Sequence, residues 1–278
     1  MDWRNLGQRV MVGVIFIPVI LGASWYGKQA FLFLIEVIIG AGLIEFYNLA
    51  KQKHARPQRE LGIIAGLGFS LLIYAGHSDK ISLLLTGLAV LLLLVELFRK
   101  PEPGGSPLLN AATTIFGVVY VAGLLSFLVL IREMPRATGA EYAHAGTWLI
   151  LIFVTIWICD TAAYFVGKGF GTHKLYERVS PKKTWEGAIG GLVFAVLAAL
   201  ACHGTFVKGL RMVDAAVIGL LAGTVGQMSD LVESLFKRDA GVKDSSILIP
   251  GHGGMLDRFD SEMLVAPLVY LYLLAVGV

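Results

Sequence analysis

The chain has 278 residues, of which 56% are hydrophobic and only 15% are charged, and its mean hydropathy is +0.73. A soluble domain carries about 25% charged residues, so this composition excludes an ordinary soluble protein and predicts an integral membrane protein. The net charge of +3 is small, and no nucleic-acid partner is expected. Both cysteines, Cys159 and Cys202, lie in apolar runs, which predicts buried thiols and no disulfide.

Nine apolar stretches follow one another along the chain, each about long enough to cross ~30 Å of hydrocarbon. They cover residues 10–26, 30–50, 61–76, 81–98, 111–131, 147–167, 185–203, 214–231 and 262–278. Backbone groups in lipid must be bonded internally, and the alternating pattern of a barrel is absent, so the spans are predicted to be helical. We therefore expect an all-α polytopic bundle of about nine transmembrane helices. The first stretch imitates a signal peptide, but its small-residue site is weak, and we interpret it as an uncleaved helix.

The distribution of Lys and Arg predicts the orientation of the chain. A cytoplasmic N-terminus places most of the 23 cations in cytoplasmic segments, as the positive-inside rule requires, and the C-terminus then faces outward. This favours the inner membrane of the cell, with the active site facing the cytoplasm. The Pro/Gly-rich residues 101–105 form a plausible hinge. We expect an N-terminal half, residues 1–105, with about four helices, and a catalytic C-terminal half, residues 106–278, with about five.

In the second half, the polar segment 234–260 lies between two apolar runs, where it is costly unless it performs chemistry. Asp230 ends the eighth predicted span, and Asp257 and Asp260 open the ninth. Three carboxylates at one membrane face suit Mg²⁺, which prefers oxygen ligands and keeps waters and substrate phosphates as the others. The spacing of three also places Asp257 and Asp260 on one face of a helical turn. The alternative is that both residues cap the helix and favour its dipole.

Cations and glycines accompany these acids. The cations are suited to hold phosphates, Arg by bidentate bonds and Lys as a point charge; they are Lys237, Arg238, Lys243 and Arg258. His252 lies among glycines, which allow backbone N–H groups to approach an anion closely. Its role is either that of an acid–base group or that of a structural hydrogen-bonding group. The earlier basic stretch, residues 51–59, is interpreted as a set of topology anchors.

Several other polar residues lie within or beside predicted spans. Asp160 lies about two turns inside the sixth span, which makes it a functional candidate unless it pairs with a cation of the following loop. Glu45 and Glu96 are near cytoplasmic ends, where they either extend to the interface or pair. Glu36 is deeper and has no assigned role.

The segment 180–187, Ser-Pro-Lys-Lys-Thr-Trp-Glu-Gly, is predicted to begin the seventh helix. Ser180 and Thr184 are candidate caps, with Pro181 in the first turn. A helix N-terminus beside Lys182 and Lys183 is a natural seat for a phosphate or a lipid headgroup.

Segment 234–260 resembles the signature of the phosphatidate cytidylyltransferase family, also called CDP-diacylglycerol synthases. Every fixed position of that signature is met in this chain, by Ser234, Phe236, Lys237, Arg238, Lys243, Asp244, Ser246, Ile249, Pro250, His252, Gly253, Gly254, Met255, Asp257, Arg258, Phe259 and Asp260. Asp230 and segment 180–187, which includes Glu186, also resemble the family pattern. The resemblance is strong over about residues 147–278, whereas the N-terminal half matches only as a set of hydrophobic spans.

The resemblance implies that CTP and phosphatidic acid react to give CDP-diacylglycerol and pyrophosphate, with Mg²⁺, at the cytoplasmic face of the bilayer. A monovalent cation beside Mg²⁺ and a homodimer are left open. The implied metal ligands are Asp230 and Asp257. The expected catalytic residues are Lys237, Arg238, Lys243, Asp244, His252, Arg258 and Asp260. The expected substrate-binding residues are Asp160, Ser180, Lys182, Lys183, Thr184, Glu186, Ser234, Gly253 and Gly254.

Four other interpretations compete with this one. A transporter would distribute polar groups through the bilayer midplane and show a repeat, whereas in this sequence they cluster at one face. A CTP-dependent lipid kinase would cleave the β–γ bond of CTP, and a CDP-alcohol phosphotransferase would carry a motif that this sequence lacks. A purely structural membrane protein would leave the signature unexplained.

Overall fold

The computed structural model describes residues 3–100, 106–139, 141–249, 251 and 253–278. The predicted hinge at 101–105 and the candidate residue His252 therefore lie outside the described residues. The helices within these ranges are α1 Trp3–Tyr26, α2 Lys28–Gln52, α3 Arg59–Tyr74, α4 Ile81–Phe98, α5 Pro107–Gly117, α6 Leu124–Glu133, α7 Pro135–Thr138, α8 Tyr142–Phe170, α9 Trp185–Thr205, α10 Met212–Leu221, α11 Gln227–Asp239 and α12 Leu256–Val276. A short 3₁₀ turn, Ser78–Lys80, precedes α4, and π-helical turns join α5 to α6 and α10 to α11.

The expectation of an all-α polytopic membrane protein is confirmed. Each of the nine predicted stretches overlaps a helix. Within the described ranges, seven helical runs are long and apolar enough to span a membrane by length and composition: Lys28–Gln52, Ser78–Phe98, Pro107–Glu133, Tyr142–Phe170, Trp185–Thr205, Met212–Asp239 and Leu256–Val276. The two other predicted spans correspond to the shorter apolar helix Met11–Tyr26 and to α3, which has 16 residues. Both cysteines are buried and free, as predicted.

A pair of short antiparallel strands precedes α9, where the sequence predicts the start of a helix. Strand β1 is Lys174–Tyr176 and strand β2 is Ser180–Thr184. The prediction that Ser180 caps the helix is therefore wrong, because α9 begins only at Trp185. Strand pairing gives this backbone hydrogen-bond partners that the first turn of a helix lacks. Thr184 is the N-cap as predicted, since its Oγ1 accepts a hydrogen bond from Gly187 N at 3.2 Å.

The chain forms two compact units. Unit 1 contains the first part of α1, residues Lys28–Val129 and Phe236–Arg258, and unit 2 contains Ile20–Gly27, Leu130–Leu235 and Phe259–Val278. The chain thus passes from one unit to the other within α11 and within α12. The predicted functional division at residue 105 stays a prediction.

In unit 1, helix α2 packs closely on its neighbours around Tyr47, which is fully buried. Its hydroxyl donates a 2.9 Å hydrogen bond to the carbonyl oxygen of Thr114 in α5. A Cβ added to Gly62 would overlap the Tyr47 hydroxyl, and one added to Gly117 would overlap its ring. Small residues at helix contacts let helices approach closely in lipid. The glycines therefore create the space that the Tyr47 ring fills, and they fix α2 in its place.

In unit 2, helix α9 packs against α8 and α10 through glycines. A Cβ on Gly187 would lie 2.7 Å from the carbonyl oxygen of Ala163 in α8, and one on Gly191 would lie 3.0 Å from that of Cys159. On the facing helix, a Cβ on Gly219 would lie 2.9 Å from Cβ of Ala199. These close approaches hold the beginning of α9 beside α8.

Two predicted helix boundaries near the candidate site are corrected. Helix α11 continues from Gln227 to Asp239, so Asp230 lies in its first turn and does not end a helix. Helix α12 begins at Leu256, but the backbone at Phe259 is not helical, with φ −121° and ψ 15°. The expectation that Asp257 and Asp260 share a face rests on regular helical spacing, which the kink at Phe259 interrupts.

Candidate active site

In unit 1, the signature segment folds around the carboxylate of Asp257, whose side chain is only 5% exposed. Its Oδ1 accepts a 2.5 Å hydrogen bond from Nζ of Lys237 in α11. Its Oδ2 accepts hydrogen bonds from the backbone N–H of Ser245 at 2.9 Å and of Gly254 at 2.7 Å, and lies 2.8 Å from the Ser245 hydroxyl. Charge-assisted bonds of this kind are about twice as strong as neutral ones. Asp257 thus fixes the loop 245–254 against the end of α11.

A second buried carboxylate, Glu45 of α2, holds the same loop. Its Oε1 accepts hydrogen bonds from the Ser246 hydroxyl at 2.6 Å and from Met255 N at 2.9 Å. Its Oε2 accepts from Leu256 N at 2.8 Å and lies 2.9 Å from the Ser245 hydroxyl. Glu45 therefore binds the first N–H groups of α12, where a negative charge also favours the helix dipole. The predicted alternatives were extension to the interface or pairing, and the structure shows a buried, hydrogen-bonded group, 2% exposed.

Two consecutive glycines make room for these carboxylates. Gly253 has a φ of +82°, and a Cβ there would lie 2.8 Å from Asp257 Oδ2. A Cβ on Gly254 would overlap both the Ser245 hydroxyl and Glu45 Oε2. The sequence predicts that these glycines let backbone N–H groups reach an anion. The anions that the N–H groups around Gly254 reach are the protein's own carboxylates, Asp257 and Glu45.

The other charged residues of the signature segment in unit 1 lie at the surface. Arg238, Lys243, Asp244 and Arg258 are exposed, in contrast to Lys237. The Arg238 guanidinium donates a 2.9 Å hydrogen bond to the carbonyl oxygen of Val242, which orients it along the loop. The three exposed cations of this segment can neutralise the charge of a phosphate ligand.

In unit 2, Asp230 lies at the centre of a second polar cluster. Its Oδ2 accepts a 2.6 Å bond from Nζ of Lys183, and its Oδ1 accepts a 3.2 Å hydrogen bond from the Ser234 hydroxyl one turn later. Lys183 and Asp230 are each about one quarter exposed. The structure therefore brings together three predicted site residues that come from β2 and α11.

Further acids surround Asp260 in this unit. Electrostatic repulsion reaches Asp260 from four carboxylates, those of Asp160, Asp230, Glu233 and Glu262. The Ser229 hydroxyl bonds to the carbonyl oxygen of Asp260, which fixes the start of this part of α12. Asp160 of α8 is exposed. Unit 2 thus combines acids from α8, α11 and α12 with the cation Lys183.

Glu186 has a structural task in the first turn of α9. Its carboxylate accepts hydrogen bonds from Thr172 N at 3.1 Å and from the Thr172 hydroxyl at 2.7 Å, and it contacts His173 Nδ1 at 2.6 Å. It therefore ties the residues before β1 to α9. The neighbouring Lys182 is exposed and available to an anion.

The carboxylates of the site can bind Mg²⁺ if waters and substrate phosphates supply the remaining ligands. Among the described residues, no group of three or more His, Cys, Asp or Glu is placed to hold a metal ion. Mg²⁺ does not require such a cage, because it is usually held by one or two carboxylates together with waters and substrate phosphates. Asp230, which is partly exposed, can serve in this manner. Each of the two carboxylates would first have to exchange its bond to a lysine, Lys183 for Asp230 and Lys237 for Asp257, for a bond to the metal.

Sequence reasoning missed the roles of Glu45 and Ser245. An acid in an otherwise apolar helix is a signal that it has a partner, and Glu45 lies in the last two turns of α2. The identity of that partner, some two hundred residues away, has no local signature.

The helices and the two polar clusters define a multi-pass α-helical membrane protein that concentrates carboxylates, lysines and a glycine-rich loop beside its membrane spans. A model of the cytidylyltransferase family matches residues 7–276. The chain belongs to this family.

Several bacterial relatives that bear the name phosphatidate cytidylyltransferase match almost the whole chain. The relative from Synechocystis sp. is 33% identical, with 97% of this chain and 95% of the relative covered. The one from Bacillus subtilis is 33% identical, with coverages of 97% and 98%, and the one from Haemophilus influenzae is 32% identical, with coverages of 94% and 96%.

Proposed function

We propose that this protein transfers the cytidylyl group of CTP to phosphatidic acid, giving CDP-diacylglycerol and pyrophosphate for phospholipid synthesis. The observation that carries the proposal is the match of nearly the whole chain to relatives of that name. The site supports it, because the signature residues form ordered, charged clusters rather than mere membrane flanks. We place the reaction at the cytoplasmic face of the inner membrane, where CTP is available.

In the proposed reaction, a phosphate oxygen of phosphatidic acid attacks the α-phosphorus of CTP. The new P–O bond forms as the bond between the α-phosphorus and the α–β bridging oxygen breaks, and pyrophosphate leaves with that electron pair. A phosphate monoester is largely ionised near neutral pH, since its second pKa is about 6, so no strong general base is needed. The task of the protein is to align two anions and neutralise their charge.

The exposed cations of unit 1 are suited to that task. Arg238, Lys243 and Arg258 would bind phosphate oxygens, and each such donor can contribute about 3 kcal/mol to the stability of the transition state. Lys237 differs from them, because it is buried against Asp257 and holds the loop in place. In unit 2, Lys182 and Lys183 would bind the phosphate of the nucleotide or of the lipid.

Mg²⁺ is the proposed cofactor, and Asp230 in unit 2 and Asp257 in unit 1 are each proposed as a metal ligand. When bound, the ion would neutralise charge on the phosphates of the nucleotide. In the structure each of the two carboxylates is bonded to a lysine, Asp230 to Lys183 and Asp257 to Lys237. A monovalent cation beside Mg²⁺ and a homodimer remain predictions.

The decisive experiment incubates the purified protein with labelled CTP and phosphatidic acid, with and without a chelator. We expect CDP-lipid and pyrophosphate in equal amounts, and neither product after chelation. Release of CDP with a phosphorylated lipid would instead identify a kinase. Flux of a substrate into liposomes without nucleotide turnover would identify a transporter, and either of these results would overturn the proposal.

A further inference from the structure

Unit 1 contains a basic pocket that lies outside the signature segment. A cavity of about 830 Å³ is bordered by the last turn of α2, the loop to α3, the first turn of α3 and the residue after α4. The permanently cationic side chains that line it are Lys51, Arg56, Arg59 and Arg99, and His54 also lines it. Among the described lining residues, Glu60 is the one acid. Arg99 is ion-paired with Glu96 at 3.1 Å, and the remaining lining has three permanent positive charges, on Lys51, Arg56 and Arg59, against the one acid Glu60, so the pocket carries a net positive charge.

The N-terminus of α3 adds to this positive character. The side chain of its N-cap residue, Gln58, accepts no hydrogen bond from the N–H groups of the first turn. The amide nitrogen of Gln58 donates to Glu96 at 2.5 Å. The N–H groups at a helix start carry partial positive charge. Those of Gln58 and Arg59 already donate to Thr114 Oγ1 and to the carbonyl oxygen of Pro57, each at 2.9 Å, so α3 contributes the positive end of its dipole rather than free donors. Gln58 and Arg59 of this turn both line the pocket.

The backbone of the pocket is held in place by neighbouring helices. The N–H of Arg56 donates to the side-chain oxygen of Asn110 at 2.6 Å, and the Arg99 guanidinium donates to the Arg56 carbonyl oxygen at 3.0 Å. Asn110 and Arg99 both also bond to Glu96. His54 adopts a left-handed φ of 62°, which is uncommon for a residue with a side chain. These hydrogen bonds fix the backbone of the pocket. A cation that serves only to orient the chain in the membrane needs to face water and does not need such a fixed backbone.

We propose that this pocket binds a phosphate-bearing anion. Its volume lies within the range of small-molecule sites, but its lining is charged, so a phosphate suits it and an acyl chain does not. Two sources share this chemistry. A phospholipid headgroup reaches cation-rich pockets between helices from the membrane surface, and a water-soluble phosphate reaches them from the aqueous side. The site is separate from the proposed transfer reaction and would bind even if that reaction were disproved.

The test uses the full chain in nanodiscs and measures binding, not activity. The double variant Lys51→Gln/Arg59→Gln removes two cations, neither of which is in ion-pair contact with a carboxylate among the described residues. The matched control is Lys100→Gln, an exposed cation next to Arg99 that does not line the pocket. One arm titrates inorganic phosphate, which is not a product of the proposed reaction, in nanodiscs of phosphatidylcholine by calorimetry. The other arm measures the phosphatidylglycerol that co-purifies from mixed nanodiscs.

We expect the double variant to weaken binding by about tenfold or more in one arm, because charged hydrogen bonds are lost, with no change for Lys100→Gln. The arm that responds identifies the source of the phosphate. The charge-conserving variant Lys51→Arg/Arg59→Lys should keep most of the binding, and it excludes a folding defect as the cause. Unchanged binding in both arms would overturn the proposal, as would an equal loss in the charge-conserving variant.

Discussion

At the scale of single residues, Asp257 and Glu45 carry most of the order in the signature loop. Between them they accept hydrogen bonds from four backbone N–H groups and from the hydroxyls of Ser245 and Ser246. A buried donor left without its acceptor costs about 1–3 kcal/mol. Small changes at either carboxylate should therefore have large effects.

Glu45→Gln should reduce the rate of CDP-lipid formation by about tenfold or more. Each carboxylate oxygen of Glu45 is close to two hydrogen-bond donors, so the amide nitrogen of Gln would face two donors in either orientation and could accept from neither. Measurement of kcat/KM together with the thermal midpoint checks this outcome. Glu36→Gln is the control, since Glu36 lies on the same helix and bonds to Ser70 of α3, away from the loop. Full activity of Glu45→Gln would show that the loop holds its shape without this charge.

Asp257→Asn should reduce pyrophosphate release by about a hundredfold or more, because the variant loses the charge that pairs with Lys237 and the proposed metal ligand. Asp239→Asn provides the control, since Asp239 is an exposed residue of the same unit that pairs with the exposed Lys53 at 3.1 Å. Raised Mg²⁺ should restore part of the activity if Asp257 binds the metal. A variant as active as the native protein would remove Asp257 from the metal site.

At the scale of elements, the approach of α9 to α8 sets the position of Lys183 and Thr184. Gly187→Ala would place a Cβ 2.7 Å from a backbone oxygen of α8, which cannot move alone. We expect a lower thermal midpoint and lower activity, because the start of α9 must shift. Thermal unfolding in detergent measures the first effect.

Gly204→Ala, in the last turns of the same helix, is the matched control. Its added Cβ would meet nothing within 4 Å, and Ala is a better helix former than Gly by about 1 kcal/mol. The midpoint of this variant should therefore be unchanged or higher. If both variants lost stability equally, the contact between α8 and α9 would not be the reason.

At the scale of the whole molecule, the distribution of cations predicts which loops face the cytoplasm. Cysteine introduced at Lys100 should react with an impermeant thiol reagent only after the cells are opened, and cysteine at Lys208 should react in intact cells. Both native cysteines are buried, so the background labelling should be low. Lys208→Ala should leave activity unchanged. The reverse labelling pattern would contradict the orientation.

Hydropathy was sufficient for the fold class, because each helix must satisfy its backbone in lipid and so appears as an apolar run. It did not locate the end of α11, because Lys237 and Arg238 are polar and yet belong to a helix. It also missed the strand pair, since Ser180 and Thr184 have the composition of helix caps. The partners of Asp257 and Asp230 depend on contacts between distant segments, and the role of Glu45 depends on a contact that spans most of the chain.

That long contact also bears on how the protein is made. Glu45 and its partner Ser245 are 200 residues apart, so at ~5–20 residues per second the ribosome needs roughly 10–40 seconds to reach the second after the first. During this interval, helix α2 carries an acid whose eventual hydrogen-bond donors have not been synthesised. A chain that ended before Ser245 would leave the Glu45 carboxyl group without any of these donors.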